Sequence, residues 1–409
     1  MKRAFHGLSL IASCASVLHA APLNAAIPQL KLEREVMLMR HGIRPPTKAQ
    51  PIPARYSPSA WPRWRAGPGL LTNHGAKGIA LLASADRAYF IKAGLVPATG
   101  CPASGQVTIR ASKVPRAIDT AKAWAASLMP GCHLAVEHPA KGAPDSLFHI
   151  LDDQPAWFNG HRAYEAALAQ APSGGLAAQA RELFPQTERL AAILGCAPPA
   201  CGLGKDPTSI VERPHGRPAL HGPLDVASTA SESLLLEYLE DKPMSEVGWG
   251  RVERDEIERL LVFNAIMFNY VDRPRFIART AAGPLARAIL HALSASTAAP
   301  VTLFAGHDTN IADLGGLLDL HWHVASYPAD TVPPGSALGF ELLSDGHGGR
   351  FVRAFFRSQT MDQLRNLEVL TTGKPPYRAY LEIPGCGRAA DVLSCDLPTF
   401  TRLVEARLR

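Results

Sequence analysis

Short apolar runs that stop at glycine or proline alternate along this chain with longer stretches whose apolar positions recur every three or four residues. Glu35-Val36-Met37-Leu38-Met39 is such a run, ended by Gly42 and Pro45-Pro46, and reads as a buried strand breaking into a loop. Val301-Thr302-Leu303-Phe304-Ala305 is a second, followed by Gly306 and a helical stretch from Ile311 to Leu320. Gln106-Val107-Thr108-Ile109-Arg110 alternates as a strand does, and Pro115 then opens an alanine-rich helix through Leu128. Phe351 to Arg357 supplies a further strand. Residues 148–274 have a different texture, with helical spacing in Ala163 to Gln170, Leu176 to Leu183, Thr187 to Leu194 and Thr229 to Glu240, and a Gly/Pro-rich loop from Cys196 to Pro223. The pattern predicts an α/β fold: a mainly parallel sheet core from residues 27–147 and 275–409, covered by a smaller α-helical domain inserted at 148–274. No internal repeat or disordered linker stands out.

The N-terminus has the three-part pattern of an export leader. Met1-Lys2-Arg3 is positive, Leu8 to Leu18 is apolar, and small residues follow to Ala26, so residues 1–26 are expected to be a Sec signal peptide and the product periplasmic or secreted. The apolar stretch is too short for a membrane anchor, although Ile11-Ala12-Ser13-Cys14 also fits a lipoprotein processing site that would leave a lipidated Cys14.

Composition narrows the field. The 409 residues are 47% hydrophobic, enough for a large core, and the net charge of +6 falls when Lys2 and Arg3 leave with the leader. No clustered basic or aromatic-interleaved stretch points to nucleic acid, though a locally positive cleft would suit an anionic substrate. Apart from Cys14, six cysteines remain, an even number falling in three local pairs, with no Cys-x-x-Cys or His-x-x-x-His spacing beside them to suggest metal. Gly202-Leu203-Gly204-Lys205 has the look of a phosphate loop, but Asp206 stands where Ser or Thr is needed and no strand precedes it.

The chemistry gathers at the strand ends. Arg40-His41-Gly42-Ile43-Arg44-Pro45-Pro46 sets a histidine between two arginines where the first strand stops. Imidazole nitrogen is a nucleophile, guanidinium clamps phosphate oxygens, and the carboxyl ends of strands are where open α/β sheets place ligands. Gly306-His307-Asp308-Thr309-Asn310 repeats the strand, turn and helix arrangement, with Asp308 or Thr309 placed as the helix N-cap. Arg116 falls in the first turn of the helix opened by Pro115, beside backbone N–H groups that favour an anion.

Taken together, Arg40 to Pro46 and His307-Asp308 resemble the signature of the histidine acid phosphatases, especially the bacterial periplasmic phytases and glucose-1-phosphatases. The likeness extends through Gly100 to Val107, Gly248-Trp249-Gly250-Arg251 and Pro333-Pro334-Gly335. It implies a phosphoglycerate mutase-like core with helices on both faces of the sheet, and hydrolysis of phosphomonoesters without metal or other cofactor. In that scheme His41 attacks phosphorus, Arg40, Arg44, Arg116 and His307 hold the phosphoryl oxygens, and Asp308 protonates the leaving alcohol. A loose phosphoryl-transfer transition state leaves most of the work to positioning and positive charge, and an acid optimum is expected. The resemblance also implies disulfides Cys101–Cys132, Cys196–Cys201 and Cys386–Cys395, without the fourth bridge that often reaches the C-terminus.

Substrate choice follows from the same likeness. Thr47 and Lys48 would reach a second phosphate on a polyphosphorylated ring, and Glu232 would line the pocket from the inserted helices. Ser112-Lys113-Val114-Pro115 depart from the acidic residues that often precede the third arginine, and the arginine-rich stretch that contacts distal phosphates is reduced around Arg279-Thr280-Ala281. The expected partner is a small phosphomonoester, with no nucleic acid, no membrane unless Cys14 is lipidated, and a monomeric state. A phytase is favoured, with a sugar phosphatase as the alternative. A catalytically silent phosphate-ester binding protein and a phosphoglycerate mutase-like phosphotransferase are further readings, disfavoured by His41 and Asp308 and by the leader and cysteines.

Overall fold

The computed structural model describes residues 30–152, 154–196, 202–389 and 392–409; the expected leader, Cys14 and Cys201 lie outside them. In chain order the strands are β1 (Lys31–Arg40), β2 (Val107–Ala111), β3 (Ser209–Val211), β4 (Ala219–His221), β5 (Val301–Gly306), β6 (Ala337–Ser344), β7 (Arg350–Ser358) and β8 (Tyr377–Leu381), and a short strand Cys395–Asp396 follows. The helices of the first part are α1 (Asn73–Ala93) and α2 (Pro115–Leu128). Then come α3 (Gly160–Leu168), α4 (Gly175–Glu182), α5 (Phe184–Leu194), α6 (Pro223–Leu239), α7 (Arg254–Leu260), α8 (Val262–Val271) and α9 (Arg275–Ala281). The last are α10 (Gly283–Ser294), α11 (Asp308–Leu318), α12 (Met361–Arg365) and α13 (Leu397–Arg407).

The main sheet runs β7, β6, β1, β5, β2, with β8 and Cys395–Asp396 both paired to β7. β1 and β2 lie parallel to β5 between them, while β6, β7, β8 and the last strand add on antiparallel. The sheet is therefore mixed, which corrects the expectation of a mainly parallel one. The cause is local: only Asp345 to Gly349 separate β6 from β7, too short for a crossover, so the chain must turn straight back. The Gly/Pro-rich stretch taken as loop also contains structure, since β3 and β4 pair as a small hairpin.

Helices cover both faces. Along β1, Val36 and Leu38 enter a core with Leu285 and Ile289 of α10, Ile311 of α11 and Phe400 of α13. Met37 and Met39 enter the opposite core with Ile79 and Leu82 of α1 and Trp124 and Leu128 of α2. The strand is buried on both sides, which is why it reads as a continuous apolar run rather than an alternating one. Helix α6 is buried through Leu234, Leu235 and Leu236 in the first of these cores. Two bridges, Cys101–Cys132 and Cys386–Cys395, are formed; Cys196 is disulfide-bonded too, and its expected partner lies outside the described residues.

Parallel register brings three chain reversals to one level. Arg40 of β1 sits opposite Gly306 of β5, and Ala305 sits opposite Ala111 of β2. The turns after all three strands thus open side by side.

Candidate active site

His41 follows β1 directly, its N–H donating to the Gly306 carbonyl at 3.0 Å. The turn is pressed against the start of α1: a Cβ on Gly42 would stand 2.8 Å from Leu71 Cδ1, and one on Gly75 would stand 2.6 Å from the Ile43 carbonyl oxygen. Both positions need glycine for that approach. His41 Nδ1 lies 2.8 Å from the Gly42 carbonyl oxygen. A carbonyl only accepts, so Nδ1 carries the proton and Nε2 keeps its lone pair.

Three guanidiniums surround this imidazole. Arg40, 1% exposed, donates to the Val332 carbonyl and pairs through one nitrogen with Glu232 and, at 2.9 Å, with Asp308. Arg44 donates to the Pro45 carbonyl at 3.1 Å, and Arg116 reaches from the first turn of α2 to within 3.4 Å of His307 Nδ1. Each of the three retains a buried Nε with no hydrogen-bond partner among the described residues. His307 stacks edge-on to His41 with ring centroids 5.5 Å apart. It also takes the N-cap of α11, the place expected for Asp308 or Thr309, because Asn310 Oδ1 accepts from its backbone N–H at 3.0 Å. Asp308 becomes the first helical residue and turns its carboxylate to Arg40.

The charges work on one another. Burial first, then Arg40, Arg44 and Arg116, push His41 well below the usual histidine range and favour the neutral imidazole. Burial, Arg116 and His149 bring His307 down to about 3. Burial and the neighbouring Arg44 lower Arg116 to about 10, which leaves it charged throughout the acid range. Burial pushes the Asp308 carboxyl up, but Arg40, Arg44 and His307 outweigh it and hold it below its ordinary value.

Above these groups opens a cleft of about 420 Å³, lined by Arg44, Thr47, Lys48, Glu232, Asp308 and Thr309 among others. Arg40, His41 and His307 are buried beside it. All nine residues singled out from the sequence for catalysis or substrate binding are thus gathered in one place, with Glu232 supplied by α6. A larger cavity of about 800 Å³ beside Trp64 holds none of them, and its Arg63, Arg65, Lys77 and Lys242 are offset by Glu240, Asp241 and Glu246.

The family model of the histidine phosphatase superfamily, branch 2, matches residues 31–170 and 248–357. The chain belongs to that family. Among the similar proteins, the Phytase AppA of Escherichia coli K12 is 33% identical over 408 residues, covering 93% of each chain. The Glucose-1-phosphatase of Salmonella typhimurium LT2 is 29% identical over 385 residues, covering 92% of each. Solved structures of Hafnia alvei phytase, with tartrate and with myo-inositol hexakis sulphate, superpose with TM-scores of 0.86 and 0.85 at 29% identity, covering 93% of this chain and 98% of theirs.

This histidine phosphatase also places around its site residues to which sequence reasoning gave no role there. Asn310 holds two elements at once, its Oδ1 capping α11 and its Nδ2 donating to the Phe148 carbonyl at 2.8 Å. Its spacing, three residues after the cap, is the signal that could have found it. Ser112, His149 and Asp152 line up behind His307 through hydrogen bonds of 3.1, 2.8 and 2.6 Å. They come from two separate turns, and no periodicity links them.

Proposed function

We propose that this histidine phosphatase hydrolyses phosphomonoesters through a phosphohistidine on His41, and that inositol polyphosphates are the substrate class it takes best. The observation that carries the reading is an imidazole whose Nε2 keeps its lone pair, set among three guanidiniums whose Nε donors have no partner among the described residues. Nε2 attacks phosphorus as the bond to the leaving oxygen breaks, and Asp308 gives that oxygen a proton. Water then attacks the phosphohistidine, Asp308 takes its proton back, and inorganic phosphate leaves. Asp308 is ionised while Arg40 is its partner; a bound phosphoryl group brings negative charge to the same arginines and raises the carboxyl toward its acid form. That requirement favours turnover at acidic pH.

The inositol polyphosphate reading rests on Thr47 and Lys48 at the cleft edge, where a second phosphate would lie, and on the Phytase AppA relative. A sugar phosphatase remains the second reading, supported by the glucose-1-phosphatase relative. Export to the periplasm fits the disulfides. An insertion at 148–274 fits the break in the family match after residue 170. A panel of phosphomonoesters tests the choice: inositol hexakisphosphate should be turned over well, and Lys48→Ala should raise KM for it about ten- to a hundredfold while leaving an aryl phosphate nearly unchanged, since a remote charge-assisted contact is lost. Good hydrolysis of glucose 1-phosphate with none of inositol hexakisphosphate would replace the first reading by the second.

A further inference from the structure

The hydrogen positions in the string behind His307 are fixed by its two ends. At one end Asp152 Oδ2, held ionised by its bond to His149, accepts from His149 Nδ1 at 2.6 Å, and in the neutral imidazole His149 Nε2 is then the acceptor, 2.8 Å from Ser112 Oγ. At the other end the Arg116 guanidinium can only donate, so His307 Nδ1, 3.4 Å away, accepts, and His307 Nε2 carries the proton that Ser112 Oγ receives at 3.1 Å. Ser112 therefore accepts from His307 and donates to His149. The string also leads outward: the His307 residue is 4% exposed, while the side chains of His149 and Asp152 are 13% and 60% exposed. Two frames hold it in place, the Lys113 N–H on Asp145 Oδ2 at 2.9 Å and Asn310 on the Phe148 carbonyl.

A phosphoryl oxygen arriving between Arg116 and His307 is acceptor-only, so His307 Nδ1 must change from acceptor to donor. We propose that Asp152, His149 and Ser112 are positioning residues that make this reversal possible by taking up the proton His307 gives back. Nδ1 receives a proton from solvent as phosphate binds; the Nε2 proton passes to Ser112, and the Ser112 hydroxyl proton passes to His149 Nε2. His307 ends neutral with its donor aimed at phosphate, and the added positive charge rests on His149 against Asp152. The groups facing the string are Asp145, whose Oδ2 is 4.0 Å from His149 Nε2, Arg217 near Asp152, and Arg44, Arg116, His41 and Asp308 around His307. The proposal deepens the phosphomonoesterase reading and depends on phosphate binding at that site, but not on the phosphohistidine.

The test uses the full exported protein with inorganic phosphate as the probe. Proton uptake on binding is read by calorimetry in two buffers of different ionisation enthalpy, and phosphate affinity and the pH profile of kcat/KM are compared for wild type, Ser112→Ala, His149→Asn and His149→Gln. The wild type should take up a proton on binding phosphate. The variants should take up fewer protons than the wild type, keeping only the share that Asp308 gains, bind phosphate roughly ten- to a hundredfold more weakly, and lose activity at lower pH on the alkaline limb. His149→Gln keeps a hydrogen-bonding group but cannot hold a proton, so it must behave like His149→Asn; restoration of wild-type uptake by glutamine overturns the proposal. So does a Ser112→Ala or His149→Asn protein that melts like the wild type with uptake and pH profile unchanged. If no phosphohistidine can be trapped while the uptake behaves as stated, the mechanism fails and the string stands.

Discussion

Strand β1 carries a fully buried ionisable group in each half, Glu35 and Arg40, and the two are handled in opposite ways. Glu35 lies under Arg378, at 2.8 Å, and that arginine also binds Glu341 at 2.5 Å and stacks on Phe355 at 3.5 Å. Arg353 adds a second cation on Glu341. Arg40, at the other end, belongs to a group of three arginines that, among the described residues, share Asp308 and Glu232. Proton affinity divides the arginines differently, since carboxylates raise both Arg378 and Arg40 while burial and like charge lower Arg44 and Arg116. A buried ion cluster that closes on itself braces the fold; one left with an excess of cation is set up to receive an anion.

His41→Ala should separate the two ends most sharply. It removes the proposed nucleophile and should lower kcat by roughly 10⁴-fold or more with little change in melting temperature. Residual turnover within tenfold of wild type would break the assignment of this end to catalysis. Arg378→Met is the reverse experiment. It leaves Glu35 buried without its cation and Glu341 with Arg353 alone, and should cost about 3–5 kcal/mol in chemical denaturation, with near-normal turnover where the protein is folded. Burial raises the Glu35 carboxyl, so the loss should shrink as pH falls and the carboxyls take protons; a loss that grows in acid would contradict it.

A smaller effect concerns His307. Its folded value near 3 lies under an ordinary 6.5, so between those limits the unfolded chain binds the extra proton and stability is lost as pH falls. His307→Gln removes that liability and should make the protein roughly 1–2 kcal/mol more stable at pH 5, relative to wild type, than it is at pH 7. An unchanged difference between the two pH values would show that His307 already titrates normally in the fold.

The catalytic end was the readable one. β1, β2 and β5 announce themselves as apolar runs cut off by glycine or proline, and Pro115 and Leu128 bound α2 as expected. The family signature sits on these same turns. The antiparallel half was not readable, because strand direction depends on connections and pairing partners that no single run reveals. Arg378 likewise looks like any surface arginine until Glu35 and Glu341 are seen beneath it. Ser112, His149 and Asp152 acquire meaning only when separate turns meet, and the structure alone brings them together.

The position of β5 between β1 and β2 sets a schedule for the molecule's birth. Both outer strands are synthesised long before their common neighbour, and at a typical ~5–20 residues per second the ribosome needs on the order of ten seconds or more to reach Val301. Until then β1 and β2 have no strand to join them, and the turns bearing His41 and Arg116 have no fixed distance from each other. A nascent chain shorter than about α11 is consequently inert, and any quality control acting on this protein meets it first as two unjoined strands of the main sheet.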